Sequence, residues 1–414
     1  MSSIIRLRDF CHAERAWLVE TIETLVGLES PTLDKAAVDR CGAELTRRLE
    51  AIGARVTRLP QRDRGDHLRA EFGPGTVSPA EAGFGPAKAG FGPAKAGHYV
   101  RQVLLLGHFD TVWPVGQLER MPLEQRDGRL HGPGVFDMKA GIALGMLAAR
   151  AVASPQRPAT SDQPPATSPR IVMLWTTDEE VGSGTSRAFI EAEARKSEAV
   201  LVLEPSLPGG AVKTSRKGCG GYEVIVRGIS AHAGIEPEKG ASAVRELAQQ
   251  IVRIDALHDP ARGIGVNVTQ VSGGRASNVI ADEARAVVDV RASDAAGAAA
   301  IADAFRRLAP VDPRTTIEVR GGFDRPPLER SDQVVRLLQL AMAVSRELGR
   351  DLGEGSTGGG SDGNFTAAVG VPTLDGLGAI GDGAHALHEH VIVEALPDRA
   401  ALIAGLIQSI RERP

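Results

Sequence analysis

The sequence predicts an α/β protein with a mostly parallel sheet flanked by helices, interrupted by a smaller α+β insertion. Three observations carry that prediction. Short apolar runs alternate with amphipathic helical stretches, as at 102–106, 171–176 and 199–203. Around 217–325 the order becomes strand, helix, strand, strand, helix, strand, which is that of a ferredoxin-like α+β sandwich. The chain has 414 residues, room for two or three domains and a sizeable core.

Taken in order, helical periodicity marks 14–28 and 35–52, and strand-like runs follow at 55–59 and 67–72. The composition then changes abruptly. AGFGPAK occurs twice in tandem over 82–95, a Gly- and Pro-rich stretch too short to bury a core, which reads as an inserted surface loop. A second insertion, 154–170, carries five prolines between a helix at 137–153 and the strand at 171–176. The α+β part has strands at 222–226, 267–271, 286–290 and 317–319, with helices at 242–257 and 295–308. The α/β character returns with a helix at 333–348 and a strand at 371–374. The expected domains are therefore 1–216, 217–325 and 326–414, the first and last forming one larger domain.

Composition excludes several function classes. Hydrophobic residues make up 42% and charged residues 24%, as in ordinary globular proteins. A net charge of −4, with no concentrated Lys/Arg stripe, argues against nucleic-acid binding. The three cysteines, Cys11, Cys41 and Cys219, lie far apart, which argues against a disulfide framework and against a thiolate zinc site. No stretch reaches the ~20 apolar residues needed to span a bilayer. Arg6, Arg8 and Asp9 interrupt the opening residues too early for a signal peptide, so a cytoplasmic location is expected.

Five pieces carry chemistry. In GHFDTV, His108 and Asp110 stand two apart after an apolar strand, so the carboxylate can orient the ring for a metal. A strand-end hydrogen bond explains that pair equally well. Asp137, in GPGVFDMKAG, precedes a helix and reads either as its cap or as a carboxylate bridging two metals. In TTDEEVGSGTS, Asp178, Glu179 and Glu180 crowd three acids after a buried strand, which is costly unless cations offset them. Adjacent glutamates can divide the work, one binding metal and the other acting as a base; a solvated acidic turn is the plain alternative. Glu204 directly follows another buried strand, and His385 sits in the Gly-rich run GDGAHALHEH with His388, Glu389 and His390. Together, two histidines and three carboxylates form a nitrogen/oxygen donor set that suits zinc, and also cobalt or manganese. Five ligands with one bridging carboxylate suit two metals ~3.5–4 Å apart.

The motifs GHFDTVWP, HGPGVFDMKAG, TTDEEVGSGTSR, EPS, GISAHAGIEPEKGASAV, ASNVIADEA, STGGGSDGNF and GAHALHEHV occur in this order. They resemble the di-zinc peptidase and deacylase family of glutamate carboxypeptidase, acetylornithine deacetylase and succinyl-diaminopimelate desuccinylase, over nearly the whole chain outside the two insertions. The resemblance implies two zinc ions, with His108 and Glu204 on one, Glu180 and His385 on the other, and Asp137 bridging. It implies Glu179 as the general base and Asp110 as the partner of His108. The inserted domain is similar to the family's dimerisation or lid domain, so a homodimer is expected, with His232 reaching a neighbouring subunit's site. Arg291 and Asn278 match substrate-lining positions; the glycines at 358–360, with Gly360 the candidate contact, let the backbone approach a ligand closely; and Arg325 is a weaker candidate. STGGGSDGNF is most similar to the glutamate carboxypeptidase branch. One departure stands out: Ala386 follows His385 where the family usually carries Ser, and His388 lies close enough in sequence to compete for metal.

The expected activity is therefore hydrolysis of an amide bond releasing a C-terminal amino acid, glutamate foremost. The alternative within the enzyme class is an N-acyl amino acid deacylase. The alternative outside it is a catalytically silent metal-binding scaffold. The expected partner is a small peptide or an N-acyl amino acid, with neither nucleic acid nor membrane.

Overall fold

The computed structural model describes residues 2–73, 102–153 and 170–412. The AGFGPAK repeat, and all of the 154–170 stretch except Arg170, lie outside the described residues. The chain opens with α1 (Ser3–Ala13), α2 (Arg15–Gly27) and α3 (Lys35–Ala51), then β1 (Arg55–Leu59), β2 (His67–Phe72) and β3 (Gln102–His108). The short strands β4 (Glu124–Arg126) and β5 (Arg129–His131) lead to α4 (Ala140–Ala153), β6 (Arg170–Thr176), α5 (Arg187–Ala194), β7 (Ala199–Val202) and β8 (Val212–Arg216). The insertion holds β9 (Gly218–Arg227), α6 (Ala243–Asp255), β10 (Gly265–Gly273), β11 (Glu283–Ala292), α7 (Ala295–Arg306) and β12 (Thr316–Arg325). The chain continues through α8 (Asp332–Glu347), β13 (Glu354–Thr357), α9 (Gly363–Ala368), β14 (Thr373–Leu374), β15 (Gly381–Asp382), β16 (His390–Ile392) and α10 (Leu396–Arg411).

The chain divides into two compact units. One comprises Met1–Thr214, Arg330–Gly355 and Phe365–Pro414; the other comprises Ser215–Glu329 and Ser356–Asn364. Residues Ser356–Asn364, expected in the larger domain from sequence, thus group with the smaller unit.

The larger unit is built on a six-stranded sheet in the order β1-β2-β6-β3-β7-β14. Strands β6, β3, β7 and β14 run parallel, and β2 and β1 add antiparallel at one edge. Parallel strands need both faces covered, so their sequences are apolar throughout. In β3, Val103 and Leu105 join the core packed by α1, α2, α4 and α10, while Leu104 and Leu106 join the opposite cluster with Ile190 and Phe365. Burying each such side chain contributes roughly 1.5–3 kcal/mol, which keeps β3 straight and central. Its carboxyl end is consequently a rigid platform for whatever follows.

The smaller unit is an antiparallel sheet in the order β10-β11-β9-β12, the ferredoxin-like arrangement expected from the element order. Helices α6 and α7 pack on it around Leu247, Ile254, Ile301 and Phe305. A four-stranded ribbon, β15-β16-β5-β4, belongs to the larger unit and was not expected from sequence.

Candidate metal centre

Three of the candidate ligands are positioned by the parallel sheet. His108 is the last residue of β3 and pairs in register with Thr176 at the end of β6. The Glu179–Val181 turn follows β6 directly. Glu204 comes two residues after β7, and its carbonyl accepts from Gly378 N at 2.9 Å. The other two arrive differently. Asp137 was expected to open a helix, but its φ of −114° and ψ of 94° are not helical, and α4 begins only at Ala140. His385 lies in the turn between β15 and β16 with a φ of 61°. Loops, rather than the ends of sheet strands, deliver Asp137 and His385.

The five side chains converge. His108 Nε2 lies 3.3 Å from Asp137 Oδ1 and 3.6 Å from Glu204 Oε1. His385 Nε2 lies 3.5 Å from Asp137 Oδ2 and 3.2 Å from Glu180 Oε2. Asp137 thus turns one oxygen toward each histidine, with Glu204 on the His108 side and Glu180 on the His385 side. Most of these separations exceed a good hydrogen bond, 2.7–3.2 Å. They match the ~3.3 Å edge of a tetrahedron of donors ~2.0–2.1 Å from one zinc ion. Asp137 Oδ1 and Glu180 Oε1 are buried without a hydrogen-bond partner, a costly state that a cation relieves. On burial, charge and donor type, these residues fit a two-metal site.

The electrostatics point the same way. Burial disfavours a charged His108 ring, yet Asp110 and Asp137 hold its pKa well above the ordinary value, with Glu179 adding to the field. Glu180, foremost by hydrogen bonding, raises His385 to about 9. Burial would raise Asp137, but His108, His385 and Lys213 keep it below the usual carboxylate range. The site draws protons onto its imidazoles because the acids outnumber the cations around them.

Neighbouring side chains hold these ligands in place. His108 Nδ1 is 3.0 Å from the Asp110 carbonyl and 3.4 Å from its Oδ1. Asp110 Oδ2 accepts from Thr32 Oγ1 at 2.7 Å and from Glu180 N at 3.4 Å, so one carboxylate touches both halves of the centre. Asp178 Oδ2 accepts from Thr185 N at 2.6 Å and from Thr185 Oγ1 at 2.7 Å, closing the turn that carries Glu179 and Glu180.

Glu389 has a part that sequence reasoning missed. It is almost fully buried. Its Oε2 accepts from Trp113 Nε1 and Gly134 N, both at 2.9 Å; its Oε1 accepts from Phe136 N at 2.9 Å and Asp137 N at 3.0 Å. Burial pushes its carboxyl up against these four donors. The signal was its position four residues after His385, which the local His-rich run obscured. His388, in contrast, is exposed and faces Asp382 at 4.0 Å, away from the ligands. Ala386 serves the turn through its backbone, donating to Gly383 O at 2.8 Å and accepting from Glu389 N at 2.9 Å.

The remaining candidates lie in the smaller unit. His232 is exposed; its Nδ1 accepts from Gly234 N at 3.1 Å, and its strand position bridges Val279 beside Asn278. Arg291 and Arg325 both oppose Cys219 across the sheet, so the three form one cross-strand row. Arg291 is bidentate with Asp289, at 3.0 and 2.8 Å, and Arg325 bonds Asp362 at 2.9 Å. Gly360 packs so closely on this row that a Cβ there would stand 2.8 Å from Arg325 Cδ and 3.1 Å from Cys219 Sγ.

A family model described as peptidase family M20/M25/M40 matches residues 104–409. The chain belongs to that family. It is accordingly a metallopeptidase-type amide hydrolase. Among curated relatives it is 29% identical to carboxypeptidase G2 of Pseudomonas sp. strain RS-16 over 405 residues, covering 96% of this chain and 90% of the relative. It is 31% identical to succinyl-diaminopimelate desuccinylase of Cereibacter sphaeroides over 330 residues, covering 73% and 81%. Among solved structures, the aminopeptidase PepT of Bacillus cereus superposes with a TM-score of 0.71 at 23% identity, covering 96% of this chain and 98% of that one. A Bacillus subtilis protein described as a dinuclear metal-binding peptidase of the M20 family gives 0.66 at 16% identity, covering 97% and 99%. Among the described residues, no helix is long and apolar enough to cross a membrane.

Proposed function

We propose that the chain is a two-zinc carboxypeptidase that releases a C-terminal amino acid, glutamate foremost, from a small peptide or N-acyl amino acid. The observation that carries this reading is the Asp137 carboxylate, which directs its two oxygens at two histidines, each backed by a glutamate. Similarity to carboxypeptidase G2 across nearly both chains supports the choice of leaving group.

When bound, the two metal ions supply Lewis-acid activation of water and of the scissile carbonyl. His108, Glu204 and Asp137 would hold one ion; Glu180, His385 and Asp137 would hold the other. Asp110 fixes the His108 ring through Nδ1, leaving Nε2 for coordination. Glu179 takes a proton from the attacking water and returns it to the amine nitrogen as the C–N bond breaks. Arg291, Asn278 and Gly360 bind the substrate's free carboxylate end, Arg291 through the guanidinium N–H groups that do not face Asp289. His232, from the second copy in a homodimer, donates to the developing oxyanion.

Replacing Glu179 by Ala is expected to lower kcat by at least two orders of magnitude with metal content unchanged. Loss of bound metal in that variant would reassign Glu179 as a ligand. A panel of N-acyl glutamates, dipeptides, acetylornithine and succinyl-diaminopimelate on zinc-reconstituted protein separates the readings. The desuccinylase relatives favour a deacylase as the second reading. Turnover confined to acylated diamino acids would establish it.

A further inference from the structure

His67 is a buried titratable residue with no part in the chemistry above. It opens β2 and has no solvent exposure. Its ring lies between two threonines: Nδ1 is 2.9 Å from Thr177 Oγ1, and Nε2 is 3.1 Å from Thr185 Oγ1. Thr177 and Thr185 bracket the turn that carries Glu179 and Glu180. One ring therefore touches that turn at both of its ends. The edge of Phe189 packs against the ring, with centroids 6.0 Å apart, and limits its tilt.

A proton count decides what the ring is. Each threonine hydroxyl has one proton to give. Thr177 Oγ1 lies 2.6 Å from the carbonyl of Gly65, which can only accept. Thr185 Oγ1 donates to Asp178 Oδ2 at 2.7 Å. Both hydroxyl protons are thereby committed, and toward His67 each oxygen can only accept. Both ring nitrogens must then donate. A neutral ring would take a proton from one threonine and leave an oxygen–oxygen contact of 2.6 or 2.7 Å with no proton in it. The charge of a doubly protonated ring is answered through Thr185 by the Asp178 carboxylate, which also accepts from Thr185 N at 2.6 Å.

We propose that His67 is a positioning residue: a buried imidazolium that staples the Thr177–Thr185 turn at both ends and so aims Glu179 and Glu180. The proposal rests on Glu179 as base and Glu180 as ligand. The two acids are adjacent and must point at different targets, so the turn tolerates little rotation. A misplacement of ~1 Å can cost about 10²-fold in rate. Glutamine at this position can donate to one threonine but not to both.

The test uses zinc-reconstituted full-length protein labelled with 15N at histidine, with the His67 signal assigned from its loss in His67→Gln. The expected result is two protonated ring nitrogens at neutral pH. In His67→Gln, kcat is expected to fall about ten- to a hundred-fold with KM within about two-fold. A ring with one unprotonated nitrogen, or a His67→Gln enzyme with wild-type kcat, would overturn the proposal. Should His67→Gln not fold, Thr185→Val, which removes the acceptor facing Nε2, is expected to shift one histidine signal and to lower kcat in the same range; an unshifted histidine spectrum with wild-type kcat would overturn the proposal. The ring signature is read without turnover. Failure of the base assignment, seen as full turnover by Glu179→Ala, is thus told apart from failure of the staple.

Discussion

At the scale of single residues, the centre depends on side chains that hold backbone as much as on the ligands themselves. The Glu389 carboxylate gathers one indole and three backbone N–H groups from the loop that delivers Asp137, while its own turn delivers His385. Hydrogen bonds to a charged acceptor contribute about 1.5–3 kcal/mol each. Glu389→Gln turns an NH2 group toward N–H donors and frees that loop. The expected result is a 10–100-fold loss of zinc affinity, read by chelator competition. Wild-type affinity in that variant would mean the loop holds its shape unaided. The candidate ligands could be picked out in the sequence because several His and acidic residues follow buried strands, a pattern that together outweighs the ordinary explanation of each one. The parts played by Glu389 and His67 were not: a glutamate in a His-rich run and a histidine opening a strand have ordinary explanations, and their partners lie far away in sequence.

At the scale of elements, the approach of α4 and the loop after β14 to Leu203 and Glu204 sets where Glu204, a proposed ligand, stands. A Cβ on Gly141 would stand 2.1 Å from Leu203 O; one on Gly378 would stand 2.2 Å from the same atom and 2.6 Å from Glu204 O. Neither collision is with a flexible side chain, so backbone has to move. Gly378→Ala is expected to cost about 1–3 kcal/mol and to weaken zinc binding, seen together in thermal denaturation and metal titration. Unchanged binding would show that Glu204 follows the shift without losing its aim. Most elements were legible because their periodicity and their burial agree. Helix α1 was missed because Arg6, Arg8 and Asp9 interrupt a stripe of only Ile4, Leu7 and Cys11, and packing against α10 supplies the rest. The β4, β5, β15 and β16 ribbon is two to three residues per strand, too short for any alternating pattern to register. Asp137 falls outside the helix because Val135–Lys139 winds differently, which no propensity encodes.

At the scale of the whole molecule, the two units keep separate hydrophobic cores. Phe305 lies fully buried in the smaller one, stacked on Tyr222 with ring centroids 3.9 Å apart and planes 6° apart. Phe305→Ala is expected to cost that unit about 3–5 kcal/mol. Calorimetry of zinc-loaded protein should then show an earlier transition that leaves the added metal bound; simultaneous loss of metal would show that the units unfold as one. Acid stability has a sign that follows from two glutamates held by arginines. Arg47 and Arg48 hold Glu44 down to about 2, and Arg330 holds Glu354 down to about 2. Carboxylates lowered on folding stabilise the protein above their unfolded value of 4.5, and that contribution is lost as pH falls from there toward about 2. The melting temperature should fall over that window and fall less steeply in a Glu44→Gln, Glu354→Gln double variant, as followed by circular dichroism.

The row that places Cys219 between Arg291 and Arg325 has a practical consequence. Cys11 and Cys41 have no solvent exposure, and burial pushes the Cys11 thiol, helped by Asp398, up to about 12. Cys219 is only partly buried, although burial raises its thiol too, against the pull of Arg291 and Arg325. Native protein should therefore take up one equivalent of a maleimide fluorophore, and unfolded protein three, by intact mass. The chain carries its own attachment point for an optical reporter beside Arg291, the arginine proposed to meet the substrate, so occupancy of that corner can be followed by emission without engineering a cysteine.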